Sequence, residues 1–473
     1  MKEKIRWICI LLVLLFCVFG IARWIDKSMV CGVQIISTDK LMELTEGMDY
    51  VEVAENIEEL ICFEDQSVPY NKKTNTFYVS QNTDTVSFDG SFTVLENNCS
   101  IYIEKDSCLE DKSKAIQEGH LFKLWIVDGQ IYTTVNLIFT GLPILNLQME
   151  QELSEEEATC HLMLHNPYDE EVNQYSIKTS ESLMKEKIAS GTLSLKLYKK
   201  DYDDGKKLNL LSMGKHSSWK LYPVTEKDRN PVGIMLSAYV WNSICETESK
   251  MNLQRDFRLV EVFLNGEYYG LYCMAPKTNE TYLNLAEGDY LYRIEDVENT
   301  DNVEDFVNSI FLDSENRHSN ICDYNFFLQA TGSMKNAEED FFVMYDESED
   351  FYYRIPAKYT FCFGEFPAEQ GYLSMEAEKY IVQDDIYASF IQESTEQEKI
   401  KVTEQWNVLR QNGLSTENLL MQAQQYQQLL EQSGYFARSG NEEELMDRCA
   451  QVQQYVTKRM DYLDCYYGTI DGK

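Results

Sequence analysis

The sequence predicts an α+β protein with a β-rich first part, a mixed middle and a helical close. Three observations carry this. First, the stretch 258–274, RLVEVFLNGEYYGLYCM, sets two apolar runs around Asn265-Gly266. Asn-Gly supplies the two positive φ angles of a type I′ turn, whose twist matches two antiparallel strands. Second, Asp-Gly turns at 89–90 and 128–129 join the pairs DTVSF/SFTVL and LFKLWIV/QIYTTVNLIF. The second pair alternates apolar and polar residues, as half-buried strands do. Third, no proline occurs from residue 368 onward, and apolar residues there recur at helical spacing.

The chain has 473 residues, enough for two or three domains, and 44% of them are hydrophobic, ample for a sizeable core. Tyr 31 and Phe 22 are high counts and favour strands over a purely helical array. The formal net charge of -37 repels phosphate backbones, which excludes nucleic acid as a partner and argues against anionic lipid.

Taken in order, the chain opens with an uncharged run at 7–22, bracketed by Arg6 and Arg23 and by the belt-type aromatics Trp7 and Trp24. Lys2, Lys4 and Arg6 precede it, so the positive-inside rule puts the amino terminus in the cytoplasm. The expectation is a transmembrane anchor over 1–28: a single-pass protein of the cell membrane with its bulk extracytoplasmic. A cleaved signal peptide is the rival, because Gly20-Ile21-Ala22 is a small-x-small site. A lipoprotein is set aside because Val30 precedes Cys31. The 13 cysteines show no C-x-x-C spacing and hence no zinc ribbon, while Cys99 and Cys108 are placed so that they could pair.

Residues 38–61 read as helix, and 69–140 as strands. The segment 29–141 is expected to be a small antiparallel β domain, a sandwich, with no catalytic constellation. From 142 onward strands recur at ILNLQM, HLMLH, YSIKT and LSLKLY. His161 and His165 share a face of one strand, but no third metal ligand is evident. A helix follows at 231–244, then the central hairpin, an acidic loop-rich stretch at 289–305 and a helix near 324–331. A second hairpin pairs 340–345 with 351–355 around DESED. Helices at 394–411, 416–433 and 442–466 make the helical part, 368–473, of a domain spanning 142–473.

From Leu142 to Tyr467 the order of features resembles the CotH kinase-like family of spore-coat and bacterial surface proteins. The strongest likeness is VEVFLNGEYYGLY, similar to the family's strand, Asn-Gly turn and Gly-Leu-Tyr. Upstream, SSWKLYPVTEKD resembles its Trp-x-Leu segment with a following Asp. Downstream, DYNFFLQA, the run FFVMY and the closing KRMDYLDCYY fall in the family's order. The resemblance implies a protein-kinase-like mixed domain with a helical carboxy-terminal part.

The family's chemistry uses one Asp, an Asn five residues later, and a Trp-Asp-x-Asp run that holds Mg²⁺ on ATP. Laid on this chain, the first Asp falls at Lys335 and the Asn at Asp340, and the run falls at Ala357-Lys358-Tyr359-Thr360. Ser190 and Gly191 stand where the family tends to carry two lysines. The resemblance therefore implies that no catalytic residue is retained. An ammonium about 4 Å from Mg²⁺ is repelled by roughly 8 kcal/mol at an effective dielectric of ~20. Lys335, Lys358 and Thr360 are the candidate nucleotide-side residues, and Asp340 with Glu339 the candidate metal-side acids.

The expectation is a pseudokinase that serves as a binding or structural module at the cell surface or spore coat. It would meet a protein or cell-surface partner and need no cofactor. The active alternative is an ATP- and Mg²⁺-dependent kinase with displaced ligands. A third class is a carbohydrate- or wall-binding protein working through the Tyr-rich β domain.

Overall fold

Arg258–Leu264 and Glu267–Pro276 form the antiparallel hairpin on which the rest is built. Leu264 pairs with Glu267, and the turn residues Asn265 and Gly266 have φ of 48° and 75°, the type I′ signature. The register shifts between Val262 and Phe263, and Gly270 on the partner strand has φ 109°. This is a bulge that tightens the local twist. The computed structural model describes residues 33–52, 57, 61–63, 66–81, 92–94, 99–108, 114–149, 159–167, 173–178, 191–198, 205–224, 230–293, 310–311, 319–365 and 377–468, and it is a mixed α+β protein.

The hairpin completes a closed barrel with Ile144–Met149, Thr159–His165, Asn173–Lys178, Leu193–Tyr198 and Ser218–Pro223. Closure comes from parallel pairing of Ile144 to Leu147 with Glu261 to Leu264. Strand alternation fills the interior. Leu193, Leu195 and Leu197 point in and are buried, while Ser194 and Lys196 are exposed. Trp219, Val260, Val262 and Met274 join them, so the barrel encloses a packed core.

A second core lies on the other side of the hairpin. Helix Pro231–Thr247 starts on Asn230, whose side chain accepts from the Gly233 amide, with proline in the first turn. It is buried nearly all round, against Ile321–Thr331, Glu396–Gln411, Thr416–Gln432 and Glu442–Gly468. Trp241, Phe327, Trp406 and Leu463 fill the space between these helices. The expected carboxy-terminal helices are present. Thr395 and Glu398 make a reciprocal capping box, and Ser415 caps the next helix.

The aromatic hairpin Phe341–Asp346/Phe351–Pro356 is also present, around residues 347–350. It gains a third strand, Tyr290–Arg293, from the stretch read as acidic loop.

Three expectations are corrected. The amino-terminal β region is not purely antiparallel. Gln34–Ile36 pairs in parallel with Cys99–Glu104, and Thr76–Ser80 in parallel with Ile131–Thr140. These pairs join segments about 60 residues apart, long enough for the crossover that parallel pairing needs, whereas the antiparallel hairpin at Asp128-Gly129 is local. Asp89-Gly90 lies outside the described residues. The helix expected over 38–61 is Thr38–Thr45 only. The chain turns at Gly47, φ 82°, and Asp49–Tyr50 then pairs with Ile131 and Tyr132. Among the described residues no helix is long and apolar enough to cross a membrane, so the single-pass anchor and the cell-membrane location drawn from it are not supported. The run 7–22 itself lies outside the described residues.

The β region docks on the hairpin turn. The Lys72 amide donates to the Gly266 carbonyl at 3.0 Å, and Lys73 lies 3.6 Å from Glu267. The helical layer reaches the same place through Arg438, whose Nη2 donates to Thr140 Oγ1 and Glu261 Oε1 at 2.8 and 2.9 Å.

Candidate functional site

The residues singled out by the resemblance come together at one end of the aromatic hairpin. Helix Ile321–Thr331 stops at Gly332, whose φ of 70° gives the left-handed cap. A one-turn helix, Met334–Glu338, follows and delivers the chain to Asp340 at the foot of strand Phe341–Asp346. Strand Phe351–Pro356 runs back beside it, so residues 357–360 emerge next to Asp340, and the Ala357 amide donates to the Asp340 carbonyl at 2.8 Å.

Both carboxylate oxygens of Asp340 are engaged by residues of this return segment. Lys358 Nζ lies 3.2 Å from Oδ1, and Thr360 Oγ1 donates to Oδ2 at 3.1 Å. Asp340 is buried, at 7% exposure. Burial raises its carboxyl above the ordinary range, and the Lys358 ammonium only partly opposes this.

Lys335 does not join this group. Its ammonium turns to its own helix, 2.9 Å from Glu339 and 3.4 Å from Glu338. The hydrogen bond to Glu339 is the main cause of its raised pKa. The adjacent acids Glu338, Glu339 and Asp340 therefore do not act as one set. Two answer Lys335 and the third answers Lys358.

Asn336, fully buried, holds the arrangement and was not flagged by the sequence. Its Nδ2 donates to the carbonyls of Asp340 and Lys358, at 2.6 and 3.0 Å. Its Oδ1 accepts from Ser333 Oγ at 2.6 Å, and its own carbonyl accepts from the Tyr324 hydroxyl at 2.8 Å. Arg255, 1% exposed, donates to the carbonyls of Pro356 and Ala357 at 3.1 and 3.2 Å. Tyr222 also reaches the Ala357 carbonyl, at 3.2 Å. The only local signal for Asn336 was an uncharged amide in an otherwise acidic and apolar run, which is too common to single out.

These residues do not fit a Mg²⁺ site. Mg²⁺ takes near-octahedral oxygen ligands with several waters, whereas the one buried carboxylate here is already closed by an ammonium and a hydroxyl. Among the described residues no three His, Cys, Asp or Glu side chains come together as metal ligands. Asp340 and Glu339, the candidate metal-side acids, face different lysines. His165 sits on the barrel strand, half-buried, and desolvation pushes its imidazole down to about 4, so it is neutral near pH 7.

The closing arginine of the family-like terminus, Arg459, is structural. It is fully buried and donates to the carbonyls of Gln329, Glu378 and Tyr380 at 2.7, 2.9 and 2.6 Å. It ties the last helix to Ile321–Thr331.

The fold and this cluster define a class, a mixed α+β protein with a closed barrel, a helical layer and a buried, self-neutralised carboxylate between them. The chain matches no protein-family model and no curated protein.

Proposed function

We propose that this chain is a degenerate protein-kinase-like domain of the CotH type that binds a partner protein and does not transfer phosphate. The observation that carries this reading is the closed state of Asp340. The residues that engage its two oxygens, Lys358 and Thr360, stand at the two positions where the resemblance puts metal-binding aspartates. A built-in ammonium thus takes the place of the divalent cation. A metal entering here would have to displace Lys358 and break the Thr360 hydrogen bond, with one carboxylate in return. Neither lysine presents an unbalanced charge to a phosphate, since Lys335 is held by two glutamates.

The motif order from 142 to 467 supports the same reading. The test measures phosphoryl transfer and nucleotide binding separately, with Mg²⁺ and with chelator. The expected result is no Mg²⁺-dependent transfer to the chain itself or to a generic acceptor protein. Mg²⁺-dependent transfer that disappears in Asp340→Asn would overturn the proposal and make Asp340 a metal ligand.

A further inference from the structure

The three parts of the molecule enclose a cavity of about 290 Å³ that shares no wall with the Asp340 cluster. Tyr78 comes from the β region, Tyr268 and Gly270 from the hairpin, and Tyr435, Asn441 and Arg448 from the helical layer. We propose that this junction cavity is a binding site for an uncharged carbohydrate, one pyranose ring of a glycan.

Size comes first. Ligand pockets run from about 300 to 1,000 Å³, and this one lies at the small end, room for a single ring and too little for an extended nucleotide. Charge comes second. Arg438 is paired with Glu261 at 2.9 Å, and Arg448 with Glu444 at 3.0 Å and Glu365 at 3.1 Å. Each guanidinium around the cavity already faces a carboxylate, so no surplus positive charge is left for a phosphate or carboxylate ligand.

The lining chemistry comes third. Tyr78 and Tyr268 are stacked, with centroids 5.6 Å apart and planes 11° apart. Tyrosines offer an apolar face with a hydroxyl at the edge, which matches the C–H face and equatorial hydroxyls of a pyranose. Asn441 on the rim offers a planar amide able to meet two neighbouring hydroxyls at once. A Cβ at Gly270 would meet nothing within 4 Å, so that part of the strand faces open space. Burial raises the pKa of Tyr78, Tyr268 and Tyr435, so the three phenols are neutral at physiological pH, with the Tyr268 hydroxyl already donating to Glu261.

Saturation-transfer NMR and calorimetry on the full chain, with glucose, N-acetylglucosamine, maltose and chitobiose as probes, test this. At least one saccharide is expected to saturate in the millimolar range or tighter. Leu445→Trp, which fills the cavity from its rim, should abolish that binding. Asn441→Ser removes the amide but retains a helix-capping side chain, and should weaken binding by about tenfold. Unchanged melting temperatures verify that both variants are folded. No saturable binding to any of the four probes overturns the proposal, as does binding insensitive to both substitutions. ATP that competes with the saccharide and is lost in Leu445→Trp also overturns it, and makes the cavity a nucleotide site.

Discussion

Arg438 and Glu261 form an ion pair that is closed to solvent on both sides, with Nη2 2.9 Å from Oε1 and side-chain exposures of 7% and 0%. The Tyr268 hydroxyl also donates to Oε1, at 2.9 Å, while Oε2 has no hydrogen-bond partner. Desolvating two charges consumes most of their attraction, but removing one partner strands the other. Arg438→Ala is expected to cost about 3–5 kcal/mol in urea unfolding. The double variant Arg438→Met/Glu261→Gln should recover part of that loss. A single variant within ~0.5 kcal/mol of the parent would show that the pair does not bind the helical layer to the hairpin.

Gly266 serves the turn and the docking of the β region together. A Cβ there would lie 3.1 Å from the Tyr70 carbonyl oxygen and 3.0 Å from the Lys72 side chain, at a φ of 75°. Gly266→Val should destabilise by about 1–3 kcal/mol. It should also loosen the β region, seen as faster amide exchange at Lys72. An unchanged urea midpoint would rule out a structural turn.

Asn336 ties two chain segments through its amide hydrogens. Asn336→Ala leaves the buried Asp340 carbonyl and the part-buried Lys358 carbonyl without that donor, at an expected cost of ~2–4 kcal/mol. Asn336→Asp sets an oxygen against the same carbonyls and should be at least as damaging. If either variant melts like the parent, this amide does not hold the cluster.

Asp323 gives a pH dependence. Burial, with a smaller contribution from Glu248 and opposition from Lys250, pushes its carboxyl up to about 7, and its Oδ1 has no hydrogen-bond partner. The fold favours the neutral acid. Its contribution is therefore complete below the ordinary aspartate range near ~4 and is lost as the pH rises through about 7. Asp323→Asn should match the parent at pH ~4 and exceed it at pH ~8 by at most ~4 kcal/mol. Equal stability of the two proteins at both pH values would contradict this.

What the sequence made legible was local. Asn265-Gly266 and Asp128-Gly129 declare themselves within two residues, and both turns stand where the pattern put them, while the helices expected from 394 and 416 start on caps one residue away, at Thr395 and Ser415. Closure of the barrel did not show, because Ile144 meets Glu261 across more than 100 residues and parallel pairing has no turn signature. The site was half legible. Lys358 and Thr360 were singled out only through the resemblance, and both contact the Asp340 carboxylate. The i,i+3 and i,i+4 partners of Lys335 were readable from spacing alone, whereas the resemblance grouped Lys335 with Lys358 as nucleotide-side lysines. Local helix pairing took one of them away.

Arg459 also bears on the order in which the molecule is made. The barrel strands end at Pro276, while Gln329 receives Arg459 only after roughly 130 more residues of chain have been added. At about 5–20 residues per second, the last helix arrives on the order of 10–40 s after the barrel. Until then the apolar side of Pro231–Thr247 has no cover from Glu442–Gly468. A chain cut before residue 442 would leave that part of Pro231–Thr247 uncovered and Gln329 without its arginine.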